Sequence, residues 1–360
     1  MFESIETFRA FARDKRVAVL GVGISNRPLI VWLHRLGIKV EAFDRLEPGD
    51  PYLEKSKAWL LEQGIDPIWH VGESYLEGLS DFDLIFRTPR MQPDEPALME
   101  AKRQGVIVTS EMELFLTLCP APVIAVTGSD GKTTTTTLIA EMLKAEGYFT
   151  NLGGNIGTPL LDQVQAMGEE DRVVVELSSF QLVSMRQRIK TAVITNITPN
   201  HLDVHPTFED YVDAKRHIFS HQTMFDRLIL NAADPVSMKL LPEAVGTVDL
   251  INMTDHWPHR RVWREDDRIL VSDSDTTTEL MKLTDILLPG GFNAENMMTA
   301  ALAVWPDVKP ETIRKVAATF KGVPHRMELV RDKDGVRWYN SSIDSTPHRS
   351  IVTLGVFAEQ

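Results

Sequence analysis

Cysteine is nearly absent: Cys119 stands alone among 360 residues. One thiol cannot close an internal disulfide, which excludes a disulfide framework and predicts a reducing compartment. Basic charge is also short, with 38 Lys and Arg against 51 Asp and Glu and a net charge of −13. That balance argues against bulk binding to nucleic acid or to an anionic membrane, and leaves room for a local phosphate pocket. No apolar run approaches the roughly 18 residues of a membrane span. The opening Met1-Phe2-Glu3-Ser4-Ile5-Glu6 lacks the basic and apolar segments of a signal peptide, so a cytoplasmic protein is expected. Glycine (21) and proline (20) are not in excess, and no repeat recurs. What remains is ordinary globular composition, 43% hydrophobic, at a length that suits about two to three domains.

Short apolar runs alternate with helical patterns, which predicts an α/β protein with mainly parallel sheets. Strands are expected at Val17-Leu20, Val40-Phe43, Leu84-Phe86 and Val106-Val108, with a helix from Pro28 to Leu36 closed by Gly37. Cys119-Pro120-Ala121-Pro122 reads as a linker. A second α/β unit follows, with strands at Val123-Val126, Val173-Leu177, Ala192-Thr195 and Leu228-Leu230. The polar stretch from Asn252 to Thr278 suits an antiparallel edge. Helices resume at Asn293-Val304 and Glu311-Phe320, and Lys321-Gly322-Val323-Pro324 reads as a second linker. The domains expected are therefore 1–119, 120–323 and 324–360. The last holds a strand pair, Met327-Val330 and Val336-Tyr339, and one helical pattern after Pro347. It is too short for its own core, so it either packs on the rest or begins a further domain.

The strongest chemical signal is Val123-Ile-Ala-Val-Thr127-Gly128-Ser129-Asp130-Gly131-Lys132-Thr133-Thr134-Thr135. An apolar strand enters a glycine turn, and Lys-Thr opens a helix whose apolar face is Leu138, Ile139, Met142 and Leu143. A helix start offers unpaired N–H groups and a positive dipole end to phosphate. Lys132 can reach the β- and γ-phosphates, and the Thr133 hydroxyl can ligate Mg²⁺. Val126 stands where the general phosphate-loop pattern has glycine, so this is a variant loop. A fainter signal, Gly21-Val22-Gly23, carries Asn26 where a dinucleotide fingerprint has its third glycine. Asp44 ends the next strand, where a ribose-binding acid would sit. Nicotinamide binding stays open on that basis, behind some other phosphorylated ligand.

Two further strands end in polar clusters. Glu176 closes an apolar strand, where parallel sheets place ligands, and is a candidate for Mg²⁺. His201 follows the next strand and could meet metal or phosphate. His201/His205 and His217/His221 are spaced i,i+4, so zinc is an alternative, although neither a His-Glu-x-x-His core nor a cysteine accompanies them. Thr207-Phe-Glu-Asp210 forms a capping box before a helix with the stripe Tyr211, Ala214, Ile218 and Phe219. Lys215 falls on that stripe. An inward lysine must be paired or chemically altered, unless its end reaches solvent.

Taken together these segments resemble the Mur ligases, ATP-dependent amide-forming enzymes of peptidoglycan synthesis. The carrying motifs are Thr127-Gly-Ser-Asp-Gly-Lys-Thr-Thr-Thr135, Gly154-Asn155-Ile156-Gly157, Glu176-Leu-Ser-Ser-Phe-Gln-Leu182, Asn200-His201-Leu-Asp203, Ala214-Lys215, Asn293-Ala-Glu-Asn296 and Pro324-His325-Arg326. They run in family order along nearly the whole chain, and Ser-Ser-Phe-Gln-Leu resembles the D-glutamate-adding branch. The resemblance implies a Rossmann-like first domain, a central ATPase-type parallel-sheet domain, and the start of a C-terminal α/β domain, incomplete here. It implies UDP-N-acetylmuramoyl-L-alanine and D-glutamate as substrates of a monomer. ATP and two Mg²⁺ ions would serve as cofactors. Ile24, Ser25, Asp44, Arg45 and Thr88 would then meet the UDP moiety, with Arg87-Thr88-Pro89 as a further loop on it. Gly128 to Thr134 would hold the triphosphate. Thr133 and Glu176 would ligate one Mg²⁺, and Asn155 and His201 would serve the substrate and second-metal region. Lys215 would be carbamylated and also ligate metal. Asn296 would contact adenine, and Arg326 the nucleotide. Ser341 and Ile343 depart from the family's third-domain pattern, replacing an acid and a lysine. They keep open a related ligase with another amino acid or acceptor. A nucleotide-binding module without ligase activity is the remaining alternative.

Overall fold

The structure is a computed structural model that describes residues 2, 4–201, 204–273, 276–343 and 347–357. Among these, three sheets form. The first has five parallel strands: β1 (Val17–Leu20), β2 (Val40–Asp44), β3 (Ile68–Val71), β4 (Leu84–Phe86) and β5 (Ile107–Thr109). Their order is 3-2-1-4-5. β1 and β4 are buried throughout, as strands covered on both faces must be. The strand order reverses between β1 and β4, and a ligand crevice opens at the carboxyl end of such a reversal.

The second sheet has nine strands: β6 (Val123–Thr127), β7 (Thr150–Gly154), β8 (Arg172–Glu176), β9 (Thr191–Ile194), β10 (Arg227–Asn231), β11 (Thr247–Ile251), β12 (Arg261–Glu265), β13 (Arg268–Asp273) and β14 (Thr276–Lys282). The order is 14-13-12-11-10-9-6-8-7. β6 lies between β8 and β9, so the chain again reverses beside it. The loops after β6, β8 and β9 therefore converge. β12 to β14 form an antiparallel edge, as the polar stretch suggested. One apolar core runs on from the first sheet into the second, from Phe8 to Leu250.

β3, β7 and β11 escaped the sequence reading, for three reasons. Ile68 in β3 is exposed. β7 ends in two glycines, which weaken a strand pattern. β11 carries the fully buried Asp249, whose carboxylate takes Arg227 Nη2 at 2.5 Å and Nε at 3.0 Å. A buried charge breaks the apolar run unless a partner from elsewhere neutralises it.

The third sheet is a hairpin of β15 (Glu328–Lys333) and β16 (Val336–Asn340). Asp334 and Gly335 both have positive φ, at 54° and 79°, as a two-residue hairpin turn requires. A helix, Pro347–Leu354, follows. Within this tail Tyr339 packs on Phe357, and Val356 sits close to Gly290 of the central part. No helix among the described residues is long and apolar enough to cross a membrane.

Candidate functional site

The phosphate loop is shaped by two glycines that no other residue can replace. Gly128 has φ 147°, and a Cβ there would lie 1.9 Å from Thr195 Oγ1. Gly131 has φ 78°, and its Cβ would lie 2.3 Å from Asn296 Oδ1. The loop is held by the end of β9. Ser129 N–H donates to the Asn196 carbonyl at 2.8 Å, Asp130 N–H to Asn196 Oδ1 at 3.0 Å, and Thr195 Oγ1 to the Asp130 carbonyl at 2.6 Å. Ser129 Oγ is turned inward, donating to the Thr198 carbonyl at 2.8 Å. Lys132 Nζ folds back over the loop, 2.8 Å from the Gly128 carbonyl and 3.0 Å from that of Ser129.

Glu176 is the hub. Thr133 Oγ1 donates to its Oε2 at 2.7 Å, and Asn155 Nδ2 donates to its Oε1 at 2.8 Å. Arg326 Nη2 in turn donates to Thr133 Oγ1 at 3.0 Å, tying the tail to the helix start. Asn155 reaches Glu176 because Gly154 (φ 94°) lets the loop cross the strand end; a Cβ there would lie 2.2 Å from the Glu176 carbonyl.

Lys215 is buried, at 1% exposure. Its Nζ donates to the Gly128 carbonyl at 2.8 Å and lies 3.3 Å from Thr127 Oγ1, over the Tyr211 ring at 4.6 Å. The side chain stays inside and does not reach solvent, which removes that alternative. Burial pulls its pKa well below the usual lysine value, and the nearby Lys132 ammonium adds to the fall.

Two cavities flank this hub. One of about 300 Å³ is lined by Asp130, Gly131, Thr134, Asn293, Asn296 and Arg326, with Ser341 also on its wall. Ser341 Oγ accepts Met327 N–H at 3.2 Å. The other, about 630 Å³, lies between the first two sheets. Ile24, Ser25, Thr88, Asn155, Phe180 and Glu111 are among its walls. Asn155 thus belongs both to the larger cavity and to the hub.

Some expected residues stand apart. Asp44 accepts Val22 N–H at 2.9 Å and Leu46 N–H at 3.2 Å, so its carboxylate organises the loop after β1. Asn26 donates to the Leu20 and Gly21 carbonyls, filling the space where a fingerprint glycine would admit a pyrophosphate. Both features disfavour nicotinamide binding. Arg45 is exposed beside Asp44, outside the cavity walls. Arg87 does not face the cavity. It is buried, donating to the Met91 carbonyl at 2.8 Å and to Ser184 Oγ at 2.5 Å. Glu113, itself bonded to Ser110 Oγ at 2.8 Å, opposes the downward pull of burial on the Arg87 pKa. This buried set joins β4 to the loop after β8, and its signal in sequence was only an arginine at a strand end. His201 has φ 54°, is exposed, and meets Phe180 edge-on at 5.3 Å. Its motif partner Asp203, and 344–346 in the third-domain motif, lie outside the described residues.

Among the described residues no three His, Cys, Asp or Glu side chains gather to hold a metal. His205 is instead buried, 2.9 Å from Ser179 Oγ. A hydroxyl and a carboxylate, as at Thr133 and Glu176, nevertheless suit Mg²⁺, which takes one or two protein oxygens and completes its shell with phosphate and water. The residues present fit that ion.

A Rossmann-like sheet joined to a phosphate-loop sheet, with a cavity on either side of one carboxylate, defines a nucleotide-using enzyme of two coupled substrates. The chain belongs to the Mur ligase family. The model of the Mur ligase middle domain matches residues 126–304. The chain is 46% identical to the UDP-N-acetylmuramoylalanine–D-glutamate ligase of Acetivibrio thermocellus, over 100% of this chain and 76% of that protein. It is equally similar, with the same coverage, to the ligase of that name from Ruminiclostridium cellulolyticum. Among solved structures, the UDP-N-acetylmuramate:L-alanyl-gamma-D-glutamyl-meso-diaminopimelate ligase of Neisseria meningitides superposes with a TM-score of 0.56 at 18% identity, covering 86% of this chain and 99% of that one. The UDP-N-acetylmuramate-alanine ligase of Thermotoga maritima gives 0.54 at 18% identity, covering 95% and 77%. At that identity the two establish the fold alone.

Proposed function

We propose that this protein joins D-glutamate to UDP-N-acetylmuramoyl-L-alanine, using ATP, in the cytoplasm. The observation that carries it is the Asn155–Glu176–Thr133 chain, which links the larger cavity to the phosphate loop. The relatives that cover the whole chain support the choice of substrates.

In this reading the smaller cavity takes the nucleotide base, with Asn296 beside it. Backbone N–H groups at the helix start receive the triphosphate, and Gly128 and Gly131 allow the close approach. Lys132 leaves its loop carbonyls for the phosphates. Thr133 and Glu176 would hold Mg²⁺, which when bound offsets the repulsion between carboxylate and γ-phosphate. Asn155 positions the acceptor carboxylate entering from the larger cavity. That carboxylate attacks the γ-phosphate, giving an acyl phosphate and ADP. The amine of D-glutamate then displaces phosphate, forming the amide and losing a proton. His201 would hold a second Mg²⁺ in the same region. Burial weakens the hold of Lys215 on its proton, which favours the free amine that attacks CO₂; the N–C bond forms, a proton leaves, and the carbamate anion would be a metal ligand.

The test is a mass-spectrometric product assay with ATP, Mg²⁺, UDP-N-acetylmuramoyl-L-alanine and a mixture of amino acids. It is run on the 360-residue chain and on a version extended to the length of its relatives. A D-glutamate adduct supports the proposal. An adduct with another amino acid transfers it to a related ligase, the alternative that Ser341 and Ile343 motivate. No adduct from either version, with ATP bound, overturns it in favour of a binding module.

A further inference from the structure

The larger cavity holds a carboxyl group that this chemistry does not use. Glu111 is the first residue of the helix Glu111–Leu118 and lines the cavity next to Ser110 and Met112. It is 9% exposed. Its Oε1 is buried with no hydrogen-bond partner. The other oxygen takes the backbone N–H of Leu161, across the boundary between the two sheets. Burial pushes the carboxyl up to about 7, and Asp162 adds to the rise.

The charges around it are few. Asp162 lies on the turn Leu161–Ala166 and is partly offset by Arg35 at 3.4 Å. Arg90, after β4, lines the same cavity. Glu113, one turn on, is engaged with Ser110 and lies near Arg87. No ion pair to Glu111 forms among the described residues. A buried carboxyl without a cation favours its neutral form. A neutral carboxyl has one accepting oxygen and one O–H donor. Leu161 N–H occupies the acceptor, which leaves the O–H without an acceptor among the described residues.

Resting on the ligase reading, we propose that Glu111 is a carboxylic acid that donates a hydrogen bond to a phosphoryl or carbonyl oxygen of the bound nucleotide sugar. Such a ligand is anionic, and its charge strengthens the hold of Glu111 on the proton. Sequence gives no hint of this role, since Ser110-Glu111 reads simply as a cap and an acidic first turn. The consequence is proton uptake on binding. Affinity for the sugar nucleotide is full below pH 7 and declines above it, toward tenfold per pH unit.

Calorimetry of the full chain with UDP-N-acetylmuramoyl-L-alanine, without ATP, tests this between pH 6 and 9 for wild type, Glu111→Gln and Glu111→Ala. ADP binding in the other cavity checks that each variant is folded. Wild type is expected to weaken above pH 7 and to show proton uptake in buffers of different ionisation enthalpy. Glu111→Gln keeps a donor and an acceptor, so it should hold the pH 6 affinity at every pH with no proton uptake. Glu111→Ala should bind about tenfold more weakly than wild type at pH 6. Wild-type affinity that ignores pH overturns the proposal, as does a Glu111→Gln variant that tracks wild type with pH or loses tenfold at pH 6. Wild type that binds ADP but never the sugar nucleotide overturns the ligase reading, and this proposal with it.

Discussion

Thr133 Oγ1 lies 2.7 Å from Glu176 Oε2, although 43 residues separate them in the chain. β6 and β8 are neighbours with Val126 opposite Glu176, so the helix after one strand and the carboxylate ending the other must meet. Glu176→Ala removes both the Thr133 and the Asn155 partner. We expect Mg²⁺-dependent nucleotide binding to weaken at least tenfold and ligation to fall by about two orders of magnitude or more. Calorimetry with and without Mg²⁺ checks the first. Unchanged Mg²⁺ dependence would refute the metal assignment.

Gly131 in the phosphate loop differs sharply from Gly23 after β1. Gly131→Ala forces a Cβ against Asn296 Oδ1 at a positive φ, which costs about 1–3 kcal/mol and misplaces the helix start. At Gly23 a Cβ meets nothing within 4 Å, so Gly23→Ala should change stability by no more than ~0.5 kcal/mol. Urea unfolding of the two variants compares them directly.

Lys215 occupies a site with no room for an idle charge. Lys215→Ala should abolish ligation and recover part of it with short-chain carboxylates that fill the space of a carbamate. Full activity in the unsupplemented variant would sink the carbamate assignment. Lys132→Ala gives a different pattern, losing ATP turnover by orders of magnitude with no rescue.

Glu111 also links stability to pH. Its native pKa rises from 4.5 to about 7. Below pH 4.5 both states are protonated, and the group costs nothing. Between pH 4.5 and about 7 only the unfolded state ionises, so stability falls across that window and levels off above it. Glu111→Gln should therefore match wild type at pH 4 and exceed it near pH 8, by at most about 3 kcal/mol. Thermal melts at the two pH values show the gap or its absence.

Arg87 anchors the first sheet to the loop that follows β8. Arg87→Ala strands the buried Glu113 and leaves Ser184 without its donor. A loss of about 2–3 kcal/mol is expected, with weaker sugar-nucleotide binding because Phe180 and Gln181 line the cavity. Ser184→Ala, which keeps both charges, should cost about 1–2 kcal/mol. Equal losses in the two would argue against a charge-centred clamp.

Several parts of this site were legible before any coordinates. Gly128, Gly131, Lys132 and Thr133 are adjacent in sequence, and strand-turn-helix order is a local property. Glu176 was legible as a strand end, and Lys215 as a charge on an apolar stripe. His201 was legible as a polar residue after a strand end, whereas Asn155, Asn296 and Arg326 came from family resemblance, because nothing near them in the chain reveals a partner. The family resemblance placed the loop Arg87-Thr88-Pro89 on the ligand, and burial shows Arg87 working elsewhere.

Sequence by itself determined the local devices: the apolar strands, the phosphate loop, the capping box at Thr207 and the inward lysine. These follow from side-chain period and backbone freedom over a few residues. Tertiary structure alone decided which strand ends lie side by side, and so brought Thr133, Asn155 and Glu176 together. It alone buried Glu111 without a second partner. The reason is physical: strand order fixes long-range neighbours, and the proton affinity of a carboxyl depends on the water and charge around it, which the chain's own order does not specify.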